Sequence, residues 1–444
     1  MPELPPGPRA PRFFQMFRWI FRPVPLLRAC AETYGDAFTL RLVGTPPVVF
    51  FSDPAAIRQI FSGDPEHLRA GQANRVSLEH ILGPNSILLL DGARHKRERK
   101  LLMPPFHGER MRLYGELMTG ITDQSIESWP LERSFPVHSR MQQITLEIIL
   151  RAVFGVDEGP LLSDLRTRLI RWLNFIAGPL ETWIGLTQHR YIRRRDPLLR
   201  RIDRLLYDQI ARCKKSQRKK RADILAMLVA ARDEHGRPMS DEEIRDEIIT
   251  MLVAGHETTA TSLAWVIYRL LQNPQVLAKA RAEVDSVTGE GRQASRPIGE
   301  QVAGLGYLDS VIKETARLNP VLPIAARYLG MDMRIGNHEL PAGSIVLPCI
   351  YLTHRQPELW PEPEAFNPDR FLGRRVDPYT FFPFGGGVRH CLGAAFASYE
   401  MKIVLARVLS RVTLRLDPRH TVRVVRRGIT FAPSGGVRVI RAAD

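Results

Sequence analysis

The longest helical pattern in the chain begins at Ser240-Asp-Glu-Glu243 and carries apolar residues at helical spacing to about Leu271. A serine followed three residues on by glutamate is a capping box, in which side chains satisfy the first free N–H groups of a helix. Midway along this helix the apolar pattern is broken by Gly255-His256-Glu257-Thr258-Thr259. Breaks in local consistency of this kind tend to fall at functional sites. Helical periodicity also marks Leu26–Tyr34, Met111–Phe154, Leu161–Ala177, Arg193 to about Cys213, and the residues after Cys391 to about Leu409. Asp53-Pro54 reads as the cap and first position of one more helix. Alternating or β-branched runs at Ala37–Val43 and Val48–Phe51 flank Gly44-Thr-Pro-Pro and predict a hairpin. Further β segments are expected at Met331–Ile335, at Ser344–Leu347 and from Val412 to Ile440, with turns at Gly336-Asn337 and Gly428-Ile-Thr-Phe431. Ser62–Leu90 has poor periodicity and is expected to be a long loop with short helical pieces; loops of that length are usually functional.

Composition narrows the classes of function. At 444 residues the chain can bury a large core. Length alone suggests about three domains, but no repeat or low-complexity linker divides it. Cys30, Cys213, Cys349 and Cys391 lie far apart and form no C-x-x-C pair. This argues against a disulfide framework or zinc ribbon and fits a reducing cytoplasm. Cys349, in an apolar run, reads as inert core. The formal net charge of +16 invites a nucleic-acid reading, yet the basic residues are spread out and no nucleic-acid motif accompanies them. A basic surface equally suits a small acidic electron carrier. No stretch has the ~20 uninterrupted apolar residues of a membrane span, and the start lacks the apolar core of a signal peptide. Phe13–Arg22 is aromatic and basic; it is expected to pack on the body of the protein, with contact to a membrane surface as the other reading. The charge run Lys214–Arg221 reads as solvated.

Chemistry concentrates in Phe381-Phe-Pro-Phe-Gly-Gly-Gly-Val-Arg-His-Cys391-Leu-Gly393, which runs into an apolar helix. The three glycines permit positive φ and close approach to a flat partner. A cysteine at a helix N-terminus is favoured as thiolate. A thiolate held this way suits one face of an iron centre better than a closed zinc site, which needs four ligands. The pattern Phe384-x-x-Gly387-x-Arg389-x-Cys391-x-Gly393 resembles the haem-binding signature of the cytochrome P-450 monooxygenases. The break in the long helix resembles that family's oxygen-binding motif, (Ala/Gly)-Gly-x-(Asp/Glu)-Thr-Thr. His95 and Arg99, four apart and so on one helix face, resemble the histidine and arginine that hold a haem propionate in bacterial members. Glu314-x-x-Arg317 with Arg370 resembles the family's buried three-residue network, and Arg327 matches its propionate-pairing arginine. The resemblance runs from about Pro5 to Val439, five motifs in the family's order.

The resemblance implies a mainly α fold with a smaller β-rich lobe, in one domain over residues 1–444. It implies haem b ligated by Cys391, with Phe384 near the sulfur and with Gly387 and Gly393 letting the backbone approach the ring. His95, Arg99, Arg327 and Arg389 would neutralise the propionates, and Glu257 and Thr258 would support proton delivery to O2. The pocket would draw on Gln72–Leu88, Leu173–Thr182, Met251, Ala254, Val321, Ile324, Ala325, Thr430 and Phe431. These are mostly apolar, so a terpenoid or fatty acid is the expected substrate, with Arg171 a candidate for a carboxylate. No flavin or nicotinamide fingerprint is present, so electrons are expected from a ferredoxin and its reductase, docked near Arg97, Lys100 and Arg389. A peroxide-driven peroxygenase would share the Cys391 loop without needing Glu257 and Thr258. A haem-binding sensor or carrier would keep Cys391 and tolerate loss of Thr258.

Overall fold

The chain opens with two helices, α1 (Arg12–Phe21) and α2 (Pro23–Tyr34); a proline starts the second, and Gly35, at φ 80°, stops it. The computed structural model describes residues 4–106, 110–155, 160–178, 197–215, 223–288 and 298–443. The expected hairpin forms, β1 (Ala37–Leu40) pairing antiparallel with β2 (Val48–Phe51). Asp53 accepts the Ala56 N–H at 2.8 Å and caps α3 (Pro54–Ser62). Then follow β3 (Leu68–Arg69), α4 (Ala70–Leu82), α5 (Gly92–Leu102), α6 (Arg110–Glu127), β4 (Ser134–Pro136), α7 (Val137–Phe154) and α8 (Pro160–Ile176). Next come α9 (Pro197–Lys215), α10 (Ile224–Ala230), α11 (Asp241–Gln272), α12 (Pro274–Thr288) and α13 (Gly306–Leu318). The capping box is made in full at the start of α11, with Ser240 Oγ accepting from Glu243 N and Glu243 accepting from Ser240 N.

The β-rich part is built mainly from the C-terminal half: β5 (Arg327–Leu329), β6 (Met333–Ile335), β7 (His338–Leu340) and β8 (Ile345–Pro348). One sheet has the order β1-β2-β8-β5-β3; only β2 and β8 pair in parallel. Alternate residues of β2 serve opposite faces, as the period of a strand requires. Val48 and Phe50 join Met16, Trp19, Leu26 and Phe38 on one side; Val49 and Phe51 join Ile57, Phe61 and Leu329 on the other. The cysteine helix α14 (Ala394–Arg411) precedes β9 (Leu414–Leu416), the hairpin β10 (Val424–Arg427) and β11 (Thr430–Pro433), and β12 (Arg438–Arg441). The main core lies among the helices: Ile144 and Ile148 of α7, Ile248, Leu252 and Leu263 of α11, Met118 of α6, Val404 and Leu405 of α14. The fold is mainly α, as expected.

The expected loop at 62–90 holds a correction. Thirteen of its residues form α4, which has no side-chain cap of its own at Arg69. Its cap comes from Asp91, whose two carboxylate oxygens accept the Gly71 and Gln72 N–H groups, each at 2.8 Å. A Cβ at Gly71 would sit 2.5 Å from Leu89 O. The helix is thus fixed by a residue twenty positions away, which local periodicity cannot register. The expected helix break at 178–185 falls mostly outside the described residues, as do most of the charge run 214–221 and the loop at 289–297.

Candidate active site

Cys391 sits just ahead of α14, and its N–H donates to Phe384 O at 3.0 Å, closing the loop between them. Gly385 and Gly387 take φ of 69° and 63°. At Gly387 the close neighbour is protein: a Cβ there would lie 2.1 Å from Phe61 O, and one at Gly386 would enter the Phe61 ring. Gly387 thus also serves the contact with α3. Gly393 differs, since a Cβ there would meet no protein atom within 4 Å. Cys391 is accessible, unlike the fully buried Cys349, whose thiol burial pushes up to about 12. Burial in the surrounding protein also raises the Cys391 thiol, against the Gly393 N–H and Arg99, which lower it. A positive centre beside the sulfur would favour the anion.

The polar break in α11 opens an accessible strip in a buried helix. Met251, Leu252, His256, Thr259 and Ala260 are buried, whereas Ala254 is exposed and Glu257 and Thr258 are partly so. Thr258 Oγ1 donates to Ala254 O at 2.5 Å. Glu257 is held from outside its own helix: Gln142 Nε2 donates to Oε2 at 2.7 Å, and Arg427 Nε to Oε1 at 3.3 Å. His138 Nε2 lies 3.7 Å from Oε1 and 3.1 Å from Thr261 Oγ1. Burial, then Arg427, lowers the His138 pKa to about 3, so this ring is neutral. No motif announced Gln142 or Arg427.

A buried network supports the cysteine loop. Arg317 and Glu314, both 0% exposed in their side chains, form a double bridge at 2.7 and 2.8 Å. Arg370 Nε lies 3.4 Å from Glu314 Oε1, completing the expected trio. The remaining Arg317 donors reach His354 O, Pro363 O and Ala365 O. His354 then accepts the Phe382 N–H at 3.1 Å and stacks on Phe381 at 5.1 Å. The charges of the trio thereby fix the first residues of the cysteine loop.

The family model described as Cytochrome P450 matches residues 5–436. The chain belongs to the cytochrome P450 family. It is 40% identical to putative cytochrome P450 135B1 of Mycobacterium tuberculosis (strain ATCC 25618 / H37Rv) over 442 residues, 98% of this chain and 91% of that one. It is 35% identical to putative cytochrome P450 138 of the same strain, over 99% of this chain and 96% of the other. The solved structure of retinoic acid bound cyanobacterial CYP120A1 superposes with a TM-score of 0.84 at 25% identity, covering 99% of both chains. The cytochrome P450DA heme domain gives the same TM-score at 24% identity, over 100% of this chain and 98% of the other, a likeness of fold. Cytochromes P450 are haem-thiolate monooxygenases that use O2 and a redox partner, so this chain's cofactor is haem.

The cationic residues of this P450 fit such a group. Arg327 is 6% exposed and donates to the backbone carbonyls of Ala326 and Gly386; it has no carboxylate partner among the described residues. Burial, then Arg389, lowers its pKa to about 10. A buried guanidinium without an anion is costly unless a ligand supplies one, and a propionate would do so. His95 is buried, and its pKa is lowered to about 4 by burial, then by Arg389 and Arg99. Arg389 is otherwise engaged: it pairs with Asp91 at 2.5 Å and donates to Ile87 O and Leu90 O. It therefore braces the α4 cap, leaving His95, Arg99 and Arg327 as the better fit to the propionates.

Other expectations are redistributed. Val321, Ile324 and Ala325 are partly accessible, as a pocket wall requires, while Met251 is buried. Thr430 and Phe431 are also buried. Phe431 packs with Tyr351 and the core beneath the sheet, and Thr430 Oγ1 donates to Arg427 O. Leu173 is buried and Arg171 lies on α8; residues 179–182 are outside the described ones. Of the expected docking face, Arg97 is tied to Asp233 and Glu243, Arg389 is partly buried and pairs with Asp91, and Lys100 is exposed but pairs with Glu234.

Proposed function

We propose that this cytochrome P450 hydroxylates a C–H bond of a lipophilic small molecule of terpenoid or fatty-acid type, with Cys391 as the iron ligand and a ferredoxin as electron donor. The observation that supports the reading is the accessible strip Ala254, Glu257 and Thr258 in a mostly buried helix. An acid and a hydroxyl on that strip suit proton delivery to oxygen, and the partly accessible apolar Val321, Ile324 and Ala325 suit a substrate wall. The haem, when bound, supplies the activation of dioxygen. The chain supplies the rest. Cys391 would hold the iron through Sγ, and His95, Arg99 and Arg327 would hold the propionates. Thr258 spends its O–H on Ala254 O, which leaves its lone pairs as acceptors on the accessible side. Glu257 accepts from Gln142 and Arg427, and relaying a proton through it would exchange one of these bonds. Apolar burial favours a lipophilic substrate at ~25 cal/mol per Å² removed from water. The retinoic acid held by one solved relative, a lipophilic carboxylic acid, supports the same class. Titration of the holoprotein with terpenoids and fatty acids is expected to give saturable Soret shifts. Saturation by polar compounds alone would contradict the substrate class.

A further inference from the structure

Four phenylalanines of α1 are exposed. Phe13, Phe14, Phe17 and Phe21 are 61, 50, 44 and 51% exposed. At the turn of an α-helix they fall within an arc of about 100°. The opposite side, Gln15, Met16, Trp19 and Ile20, is buried. The helix is therefore anchored by one face and presents an aromatic stripe with the other. The anchor extends to β10: the Arg426 guanidinium lies 4.8 Å from the Trp19 ring centre and donates to Trp19 O at 3.3 Å. The same hairpin exposes Val425 and, at its tip, Ile429. Gly428 N, also at the tip, donates to Ala177 O at the end of α8, near exposed Phe175. Three elements tied to one another thus each expose apolar side chains, and contiguous surfaces of this kind mark interaction sites.

Charge decides what covers them. Between Leu4 and Ala31 stand Arg9, Arg12, Arg18, Arg22 and Arg28, without one acidic residue. Arg28 pairs with Glu364 at 2.6 Å, and the other four form no ion pair among the described residues. Arg18 follows the phenylalanine stripe by about 40° around the helix, and Arg22 stands at its C-terminal end. The hairpin adds Arg423, exposed, and the whole chain carries +16. No helix of the described residues is long and apolar enough to cross a membrane. An aromatic face bordered by arginines is the build of a helix that lies in a lipid interface, rings at the acyl boundary and cations at the phosphates.

We propose that α1, with the tip of the β10–β11 hairpin, is a peripheral docking surface for an anionic lipid bilayer. The proposal is independent of the substrate assignment. It is tested by co-sedimenting the full-length holoprotein with vesicles of phosphatidylcholine alone or mixed with phosphatidylglycerol. Binding is expected to the mixed vesicles, to weaken with salt, and to fall about tenfold or more in Phe13→Ser/Phe14→Ser/Phe17→Ser/Phe21→Ser. Arg12→Glu/Arg22→Glu, which leaves the aromatic face intact, is expected to weaken binding to the mixed vesicles as well. The Soret spectrum and melting temperature of each variant verify folding; should the serine variant not fold, the charge-reversal variant decides. The proposal is overturned if the native protein binds neither vesicle, or if a folded variant binds as the native protein does. It is also overturned if the phenylalanines instead drive self-association, seen as concentration-dependent sedimentation without lipid binding.

Discussion

Thr258 and Glu257 divide a task that neither side chain performs alone. The Thr258 hydroxyl is fixed on Ala254 O, and the Glu257 carboxylate is fixed by residues of α7 and β10. Thr258→Ala removes the acceptor at the accessible strip, so electrons should be consumed with little hydroxylated product. The product-to-electron ratio is expected to fall about a hundredfold, the low end of what a positioned acid–base group contributes. An unchanged ratio would favour a sensor or carrier, and turnover with peroxide equal to that with a reductase would favour a peroxygenase. Arg427→Ala frees Glu257 Oε1 from its only charged donor among the described residues; it should change the solvent isotope effect on turnover while leaving the Cys391 spectrum unaltered. At this scale the motif residues were legible because their spacing along the chain is the signal. Arg427 and Gln142 were not, since they reach Glu257 from 170 and 115 positions away. Gly387 was legible as a special backbone position but not for its partner, because Phe61 O becomes its neighbour only through tertiary packing.

Helices and loops carry the next set of consequences. Asp91 caps α4 and pairs with Arg389, so Asp91→Ala should remove the cap, worth about 1 kcal/mol, and leave the partly buried Arg389 without its anion. Thermal melting of the variant is expected to shift downward together with faster haem loss. Arg317→Ala leaves Glu314 buried without its main partner, a loss of about 3–5 kcal/mol. The expected result is little folded holoprotein, while a variant of an exposed pair such as Arg58–Asp377 melts with the parent. The α7–α11 interface adds a pH dependence. Burial lowers the His256 pKa from 6.5 to about 4. The unfolded chain then binds a proton at this site between pH 6.5 and about 4 that the folded chain refuses. This contribution to stability is complete above 6.5 and is lost as pH falls through that window, at most about 3 kcal/mol. Urea midpoints from pH 7 to 4 should show a shallower acid slope in His256→Asn. Glu98, whose pKa burial raises to about 7, acts in the opposite sense and favours the fold at lower pH. Most helices were legible from apolar periodicity and caps. Helix α4 was not, because its cap is supplied from outside its own sequence.

Over the whole molecule, five short motifs scattered from His95 to Gly393 converge on α5, α11, α13, β5 and the cysteine loop. Their order in the chain was enough to expect the helical fold and its β-rich part. Burial at the C-terminal hairpin was less legible. Thr430 and Phe431 follow an exposed turn tip, but the hairpin turns them into the core beneath the sheet. The surface was least legible: Arg97 counts as a free cation in the sequence and as a buttress among Asp233, Glu98 and Glu243 in the fold. The measurement that tests the central claim most directly is the absorption spectrum of the reduced protein under carbon monoxide. With Cys391 as iron ligand, the native protein should give the red-shifted Soret band of a thiolate-bound haem, and Cys391→His should lose that shift while retaining haem. A native protein without the shifted band, or a Cys391→His variant that keeps it, would contradict the account.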